Sequence, residues 1–487
     1  MARPVFFRPQ NGCVGDVIPH VVDGEVWLYY LHDPRDARRG MGWSLARTRD
    51  FVSFDDDGVA LPSGDPAALD FNAYTGSVVV DSDVAHLFYT GQNPNVVAED
   101  GVTPLQRVMH AVSKDGSRTW EKDDGFSIAA PAGYEPGDWR DPFVFRPHAG
   151  QPWRMLITAR HDTGPERRRG VIAQYVSDDL LSWQLTSPFW DPGRYEAHEC
   201  PEVFHWAGWW YLVYSEFSER FSTRYRMARD VNGPWLVPEH DSLDGRAFYA
   251  AKSLELRDRR FFMGWIATKE NARDDGCWEW AGDLSVLEAT QRVDGTLAFE
   301  IPAELRDSFY REQPLCLVTT RGPVTRWTAG AGTPLQLTAR DGYIAAASET
   351  ELPRQYRATV VVTIDEDTTE CGVVLRATAD ADQGYQLRLE PRRGRMVFDR
   401  WPRRRTGPMQ WEHSGDVPYL VELERPCHLT PGTHVIDLLV DGSAMVATLD
   451  NAVALSARLY DHPAGGLAVF VGEGSATFHN VTVSTRD

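Results

Sequence analysis

The sequence lacks the features that mark several common classes of protein. It contains no uninterrupted apolar run of about 18 residues, so a membrane-spanning helix is not expected. Residues 1–10 (MARPVFFRPQ) show no apolar segment followed by a small-residue cleavage site, so no signal peptide is expected. Basic residues are in the minority, with 50 Lys and Arg against 70 Asp and Glu and a formal charge of −20 over 487 residues. This balance argues against nucleic acid or an anionic membrane as a partner.

Motifs for nucleophilic, phosphate-transfer or metal chemistry are also missing. There is no GxSxG nucleophile elbow, no GxxxxGK[ST] phosphate loop and no HExxH zinc motif. The six cysteines are scattered without a CxxC pair, which argues against a disulfide framework or a zinc knuckle and favours reduced thiols in the cytoplasm. We therefore expect a cytoplasmic protein with neither a metal nor a cofactor.

The first 300 residues do contain a repeated pattern of short strands. A polar turn followed by an alternating aliphatic and aromatic run occurs at residues 22–30, 81–89, 151–157, 207–214 and 258–265. A second strand that ends in an Asp-containing turn follows at residues 43–51, 109–120, 173–183 and 226–235, with a weaker fifth copy at 284–299. Five paired units, roughly 50 to 70 residues apart, predict a five-bladed β-propeller. Two stacked β-sandwiches are the alternative, but they do not require such a long repeat.

The pattern changes after residue 300. Residues 302–311 begin with proline and predict one short helix. Alternating apolar segments then recur at residues 356–364, 385–389, 434–440 and 444–449, with Gly or Asp turns between them, and predict a β-sandwich. The predicted fold is all-β, with a propeller over residues 1–305, a linker over 306–320 and a sandwich over 321–487.

Three carboxylic acids share one setting in the repeat. Asp16, Asp141 and Glu199 each lie where the chain enters the first strand of a unit. The innermost strand of each propeller blade borders the central axis, so acids at equivalent positions are expected to converge on one funnel. Two carboxyl groups about 5 to 5.5 Å apart serve a retaining glycosidase, because mutual repulsion raises the pKa of one and keeps it protonated. Candidate apolar walls of this funnel are Trp43, Trp139 and Trp280.

A series of motifs appears in a recognisable order along the chain. They are AYTGS at 73–77, FYTG at 88–91, RDP at 140–142, ECP at 199–201, FYAAKSL at 248–254, MGWI at 263–266 and WAGDL at 280–284. In order and spacing they resemble glycoside hydrolase family 32, which contains the β-fructofuranosidases, invertases and fructanases. The resemblance covers nearly the whole chain and implies a five-bladed propeller followed by a C-terminal β-sandwich.

The resemblance also implies residue roles. Carried onto the matching positions, it makes Asp16 the nucleophile and Glu199 the general acid/base, while Asp141 beside Arg140 binds ring hydroxyls and stabilises the transition state. The predicted substrate-binding residues are Arg140, Trp43, Tyr74, Thr75, His32, Asp33, Tyr249 and Trp280.

Two departures from the family pattern affect the expected substrate. The family's WMNDPNG motif reads CVGDVIP at residues 13–19, so that Gly15 stands in the place of Asn and Val17 in the place of Pro. The usual glutamine at the end of the following strand is Leu31, and His32 or Asp33 is expected to replace its hydrogen bond. Because a lost polar contact changes substrate preference strongly, the furanoside class is a safer expectation than sucrose.

The implied reaction is hydrolysis of terminal β-D-fructofuranosyl residues from small fructosides, with retention, through a covalent fructosyl-enzyme intermediate. Three alternatives stay open. The same site serves a fructosyltransferase, including difructose anhydride chemistry; a similar propeller serves an inverting arabinan-type hydrolase of arabinofuranosides; and a non-catalytic sugar-binding module would bind without turnover. In each case the partner is a small carbohydrate, and the sequence does not predict an oligomeric state.

Overall fold

The structure is a computed structural model that describes residues 3–36, 38–322, 324–330, 332–402, 409 and 423–486. Strands dominate it, which confirms the all-β prediction. Within the described part of the chain, none of the helices has the length and apolarity needed to span a membrane.

The strands of residues 13–300 pair antiparallel in consecutive groups. The first group contains β1 (Cys13–Val22), β2 (Glu25–Asp33), β3 (Trp43–Thr48) and β4 (Asp55–Leu61). The second contains β5 (Asn72–Asp81), β6 (Val84–Val97), β7 (Pro104–Ser113) and β8 (Glu121–Ala129). The third contains β9 (Tyr134–Phe145), β10 (Trp153–His161), β11 (Gly170–Ser177) and β12 (Gln184–Leu185). The fourth contains β13 (Glu199–Trp206), β14 (Trp209–Glu216) and β15 (Ser222–Ala228). The last contains β16 (Phe248–Leu256), β17 (Arg259–Lys269), β18 (Trp278–Gln291) and β19 (Leu297–Glu300). Short 3₁₀ turns occur at Glu166–Arg168 and Glu270–Ala272.

The first and last groups meet. Val14 of β1 pairs with Gly282 of β18, so these two groups form one eight-stranded sheet. Middle strands are buried on both faces, as in β14, where every residue from Trp209 to Glu216 is buried. Burial on both faces is what a sheet packed between neighbouring sheets requires.

The first strand of each group carries a β-bulge. In β1 two residues, at 15–16, stand opposite one residue of β2, and the same irregularity occurs at equivalent positions of the other first strands. These positions are residue 75 in β5, 141–142 in β9, 200–201 in β13 and 250–251 in β16. A bulge adds one residue to a strand, bends it and redirects side chains. The backbone at Asp141, Cys200 and Ala250 is left-handed, with φ of 57°, 50° and 52°.

These bulges correct part of the sequence prediction. Asp16 and Asp141 were expected just before a strand, but both lie within strands, while Glu199 is the first residue of β13. These strands begin before the acids and continue through them, because a bulge lets a strand keep its pairing across an interruption of the hydrogen-bond ladder. The alternation of apolar residues along the sequence does not reveal such a bulge.

The helix predicted over 302–311 is shorter in the structure. Helix α1 (Ala303–Asp307) follows Pro302 and buries Leu305. The residues after it extend into β20 (Arg311–Gln313), which pairs with the last strand of the chain, so that pairing ends the helix early.

The remaining strands form one thirteen-stranded sheet among the described residues. They are β20 together with β21 (Cys316–Thr319), β22 (Arg326–Thr328), β23 (Leu335–Ser348), β24 (Gln355–Ile364), β25 (Glu370–Ala377), β26 (Gly384–Glu390), β27 (Arg395–Trp401), β28 (Leu423–Pro426), β29 (Gly432–Asp441), β30 (Ala444–Leu449), β31 (Val453–Arg458) and β32 (Gly466–Thr485). A 3₁₀ turn lies at Pro391–Arg393. In β24 every second residue is buried, the pattern of a strand with one core-facing side.

The two parts of the chain share one buried core. The largest apolar cluster contains Phe262 and Leu287 from the first part and Val360 and Phe478 from the second. Polar contacts cross the same junction, since the fully buried Arg458 donates from Nε to the carbonyl oxygen of Ala267 at 2.8 Å. The second part therefore packs firmly against the first.

Candidate active site

The five bulges surround one cavity of about 500 Å³, which we call the carboxylate cavity. Among the residues that line it are the predicted Asp16, Tyr74, Arg140, Asp141, Glu199, Tyr249 and Trp280. Each of these except Trp280 lies at or next to a bulge. Side chains up to 233 positions apart in sequence, from Asp16 to Tyr249, thus meet because the same irregularity recurs in each first strand.

Asp16 lies among other negative groups. Its Oδ1 accepts a hydrogen bond of 3.0 Å from the indole Nε1 of Trp265, and its Oδ2 is 3.9 Å from the thiol sulfur of Cys200. Burial, followed by the charge of Asp141, raises the pKa of Asp16 to about 7, although the Trp265 hydrogen bond opposes the shift. Near neutral pH this carboxyl is therefore divided between its protonated and ionised forms.

Asp141 is the least exposed of the three acids, at 3%. Its Oδ2 accepts hydrogen bonds from the backbone N–H of Cys200 at 3.0 Å and from the Thr158 hydroxyl at 3.1 Å. Its own backbone N–H donates to Oγ1 of Thr90 at 2.8 Å. Four strands from three groups therefore fix this carboxylate, so it presents its free oxygen in a constant direction.

Glu199 is held by two donors. Its Oε1 accepts a hydrogen bond of 3.0 Å from Nη2 of Arg140, and its Oε2 accepts one of 2.6 Å from the phenol of Tyr249. Burial raises the pKa of Glu199, as does the charge of Asp141, whereas Arg140 and Tyr249 lower it. The pKa of Tyr249 is far above that of a free phenol, because of burial and the adjacent Glu199, so this hydroxyl keeps its proton and acts as donor.

Arg140 joins the acids electrostatically. Besides Glu199, its guanidinium donates to Oδ1 of Asp138 at 2.5 Å and lies 3.8 Å from Oδ2 of Asp141. Burial alone would lower the pKa of Arg140, but the surrounding carboxylates raise it above the ordinary value. The side chain stays cationic and offsets part of the repulsion among the acids.

One side of the carboxylate cavity is apolar and depends on a glycine. A Cβ atom added to Gly15 would lie 2.3 Å from Cη2 of Trp280 and 3.1 Å from Cβ of Leu31. The Trp280 ring in turn contacts Trp265 edge-on, with centroids 6.2 Å apart. Gly15 therefore makes room for Trp280, and with Leu31 the ring forms the apolar wall beside Asp16.

The model of the glycosyl hydrolases family 32 N-terminal domain matches residues 7–297, which is more than half of the chain. The chain belongs to glycosyl hydrolase family 32. Two relatives are sucrose-6-phosphate hydrolases, one from Bacillus subtilis, 32% identical over 274 residues, and one from Zymomonas mobilis, 26% identical over 326 residues. The matches cover 52% and 62% of this chain but only 54% and 62% of those relatives. The solved sucrose-6-phosphate hydrolase from Lactobacillus gasseri has the same fold, with a TM-score of 0.73 at 18% identity over 99% of this chain and 93% of its own.

Four predicted substrate-binding residues of this family 32 chain do not line the carboxylate cavity. Trp43 is fully buried and donates its indole N–H to the carbonyl oxygen of Tyr74 at 3.1 Å. Thr75 is likewise buried. His32 contacts the Asn11 carbonyl oxygen at 3.0 Å, and Asp33 pairs with Arg35 at 3.0 Å.

The position of Leu31 explains this outcome. Alternate residues of a strand face opposite sides, and Leu31 occupies the cavity side of β2. His32 therefore faces away from the cavity, while Asp33, which alternation places on the same side as Leu31, pairs with Arg35 and does not line the cavity. The wall at Leu31 is apolar.

Several residues that line the cavity or contact its acids were not predicted. Trp265 and Cys200 contact Asp16, and both belong to quoted motifs, so the sequence contained a signal for them. Gln106 also lines the cavity; its Oε1 lies 3.4 Å from Arg140 and accepts the backbone N–H of Trp139 at 3.0 Å. No motif marked Gln106, because its position depends on how β7 packs against β9.

A possible metal cluster lies elsewhere. Among the described residues, Glu239, His240 and His428 are the one group whose ligand atoms could surround an ion, and none of them lines the carboxylate cavity. Glu239 and His428 are exposed, so the group is ordinary for a protein surface.

Proposed function

We propose that this family 32 chain is a retaining β-fructofuranosidase that removes terminal β-D-fructofuranosyl residues from small fructosides. The observation that carries the proposal is the meeting of Asp16, Asp141 and Glu199 in one cavity, each with a different hydrogen-bonding environment. Sucrose-6-phosphate hydrolases among the relatives support the fructoside as substrate class. The residues present need no metal or cofactor for this chemistry.

In the first step, protonated Glu199 donates its proton to the glycosidic oxygen as the bond from that oxygen to the anomeric carbon breaks. A carboxylate oxygen of Asp16 forms a bond to the anomeric carbon from the opposite face, and the aglycone leaves as an alcohol. Protonation of Glu199 removes its negative charge, which is one of the charges that raise the pKa of Asp16. The acid form of one residue thus favours the ionised form of the other.

In the second step, ionised Glu199 takes a proton from water, and the water oxygen attacks the anomeric carbon. The ester bond to Asp16 breaks, fructose leaves with its original anomeric configuration, and both carboxyls return to their starting states. Tyr249 steadies Glu199 between its two roles, since the phenol donates to the same carboxylate oxygen throughout.

Asp141 and Arg140 bind the sugar in this proposal. The free oxygen of Asp141 accepts hydrogen bonds from ring hydroxyls, which strengthen as positive charge develops on the sugar. The Trp280 ring supplies an apolar face for the sugar on the side where Leu31 and Gly15 offer no polar group.

We also propose that residues 1–305 form a five-bladed propeller and residues 321–487 a β-sandwich, joined through residues 306–320. The recurring bulge in each of the first strands supports five equivalent blades. Residues 311–313, within this proposed linker, form β20, which pairs with β32 of the C-terminal sheet.

Activity of two amide variants tests the catalytic roles. Asp16→Asn is expected to lower kcat on sucrose or a kestose by about 10³-fold or more, and Glu199→Gln by about 10²- to 10⁴-fold. Asp23→Asn and Glu196→Gln are matched controls, because neither residue lines the carboxylate cavity, and both are expected to keep nearly full activity. Near-normal turnover by Asp16→Asn would show that Asp16 is not the nucleophile.

Product analysis tests the mechanism. Retention predicts β-fructofuranose as the first product seen by NMR, while the α-anomer would indicate an inverting enzyme. Oligosaccharide products at high substrate concentration would show transfer to a sugar acceptor. Saturable fructoside binding without turnover would indicate a binding module instead.

A further inference from the structure

A second cavity lies beside the carboxylate cavity, between the fourth strand group and the C-terminal sheet. Its volume is about 720 Å³, and β15, the loop over residues 237–246 and β28 contribute to its wall. We call it the arginine cavity, because six of its lining residues are Arg194, Arg220, Arg224, Arg226, Arg246 and Arg425.

Two of these arginines are neutralised within the wall. Arg224 donates from Nη1 to Oδ1 of Asp241 at 2.6 Å, and Arg226 donates to Oδ2 of the same carboxylate at 2.5 Å. Arg224 also contacts the buried Glu216 at 3.2 Å. These groups form a closed ion-pair network that leaves little charge for a ligand.

Arg425, unlike Arg224 and Arg226, forms no hydrogen bond with a carboxylate among the described residues. It is only 5% exposed, and among the described residues its hydrogen bond runs from Nη2 to the Ser242 carbonyl oxygen, at 2.9 Å. Its Nε and Nη1 are buried without a hydrogen-bond partner among the described residues. The nearby Asp244 carboxylate attracts Arg425 electrostatically, but its oxygens accept hydrogen bonds from the backbone N–H and hydroxyl of Ser456, at 2.8 and 2.7 Å.

Arg246, on another part of the wall, also has a buried guanidinium nitrogen without a hydrogen-bond partner among the described residues. Its Nη1 is buried and has no hydrogen-bond partner in the described part of the chain, and its guanidinium lies 3.8 Å from the ring centroid of Phe221. Burial lowers the pKa of Arg246 to about 10, because none of the described carboxylates compensates for the lost hydration. Ser222 and His240 add two more buried polar atoms without partners, Oγ and Nε2, to the same wall.

Buried cationic donors without partners are costly, so the wall is suited to a ligand that supplies several acceptor oxygens. The guanidinium group matches tetrahedral oxyanions through parallel N–H bonds. Three further acids of this wall, Glu219, Glu239 and Glu424, are exposed, and each pairs with a basic residue other than Arg425 and Arg246. Because the chain has a net charge of −20, its overall field repels anions, and only a local arginine site would hold one.

We propose that the arginine cavity is a binding site for an oxyanion of the phosphate class, held by Arg425 and Arg246 with Ser222 and His240 as additional polar partners. Two sources supply this chemistry, inorganic phosphate and the phosphoryl group of a phosphorylated sugar. Arg246 and Trp278 line both cavities, so a phosphorylated sugar in the carboxylate cavity has a route to this site. The second source rests on the proposed function, whereas the site itself does not.

Calorimetric titration of the full-length protein with inorganic phosphate, at constant ionic strength and neutral pH, tests the site. Wild-type protein is expected to bind phosphate saturably, and Arg425→Gln is expected to bind it about 10-fold or more weakly. Arg246→Gln is a second variant for the same measurement if Arg425→Gln does not fold. Arg326→Gln is the charge-matched control, because Arg326 pairs with Glu349 on the C-terminal sheet and lines neither cavity, and its affinity is expected to match wild type.

The source of the oxyanion is distinguished by kinetics with sucrose and sucrose 6-phosphate. If the substrate supplies the phosphoryl group, phosphate competes with sucrose 6-phosphate, and Arg425→Gln raises KM for that substrate but not for sucrose. If free phosphate is the ligand, it binds without competing with either. The proposed phosphate site would be refuted if wild-type protein showed no saturable phosphate binding, or if Arg425→Gln bound phosphate with the same affinity as wild type. Because calorimetry does not depend on turnover, an inactive protein that binds phosphate would count against the proposed function alone.

Discussion

Replacement of Asp16 by Asn is expected to make the protein more stable at alkaline pH while abolishing activity. The carboxyl is placed among Asp141 and Glu199 and is removed from water, so its ionised form is destabilised in the folded state. Asn is neutral and nearly isosteric, and its side-chain oxygen still accepts the hydrogen bond from Trp265.

The size of the effect follows from the pKa. Folding raises the pKa of Asp16 from 3.8 to about 7, and each unit corresponds to about 1.4 kcal/mol. Below pH 3.8 the carboxyl is protonated in both states and costs nothing. As the pH rises towards 7, the unfolded chain is ionised while the folded one holds its proton, so the folded state loses stability relative to the unfolded state. The full penalty, on the order of 4 kcal/mol, is reached above pH 7.

Urea unfolding of wild type and Asp16→Asn at pH 5 and pH 8 measures this penalty, with Asp23→Asn as a control in an exposed turn. We expect the variant to exceed wild type by about 2–4 kcal/mol at pH 8 and by less than about 2 kcal/mol at pH 5. The control is expected to show no pH-dependent difference. An equal or lower stability of Asp16→Asn at pH 8 would refute the conclusion that this acid is strained by its surroundings.

Two further predictions concern the wall and the acid/base. Gly15→Ala is expected to lower kcat/KM by about 10-fold or more, because the added Cβ would displace Trp280, at a cost of about 1–3 kcal/mol. Gly125→Ala, whose added Cβ would lie no closer than 3.4 Å to a neighbour, is expected to leave kinetics unchanged, and an unaffected Gly15→Ala would show that Trp280 is free to move. Tyr249→Phe removes a hydrogen bond that lowers the pKa of Glu199, so the alkaline limb of the kcat/KM profile is expected to move to higher pH. A limb that stays in place would mean that another group controls the protonation of Glu199.

The all-β fold and the convergence of Asp16, Asp141 and Glu199 on one cavity could be predicted, because their signals are local or strictly ordered. Alternation with a period of two predicts strands whatever their partners, and the RDP and ECP motifs stand in a fixed order that the match to residues 7–297 supports. The residues at which helices and strands end were harder to predict from the sequence. Helix α1 stops at Asp307 because residues 311–313 pair with β32, some 170 positions away in sequence.

The cavity walls were decided by tertiary structure alone. Leu31, and not His32 or Asp33, lines the carboxylate cavity, where it stands opposite the bulge at residues 15–16 of β1. In the sequence, Gly15 indicates only that the family's asparagine side chain is lost. In the structure, the absence of a side chain at Gly15 leaves room for the ring of Trp280, which lies 265 positions further along the chain. The sequence itself determined which residues alternate and which motifs occur. Folding decided which of them meet, because contacts between distant strands depend on register and packing that no short stretch of chain encodes.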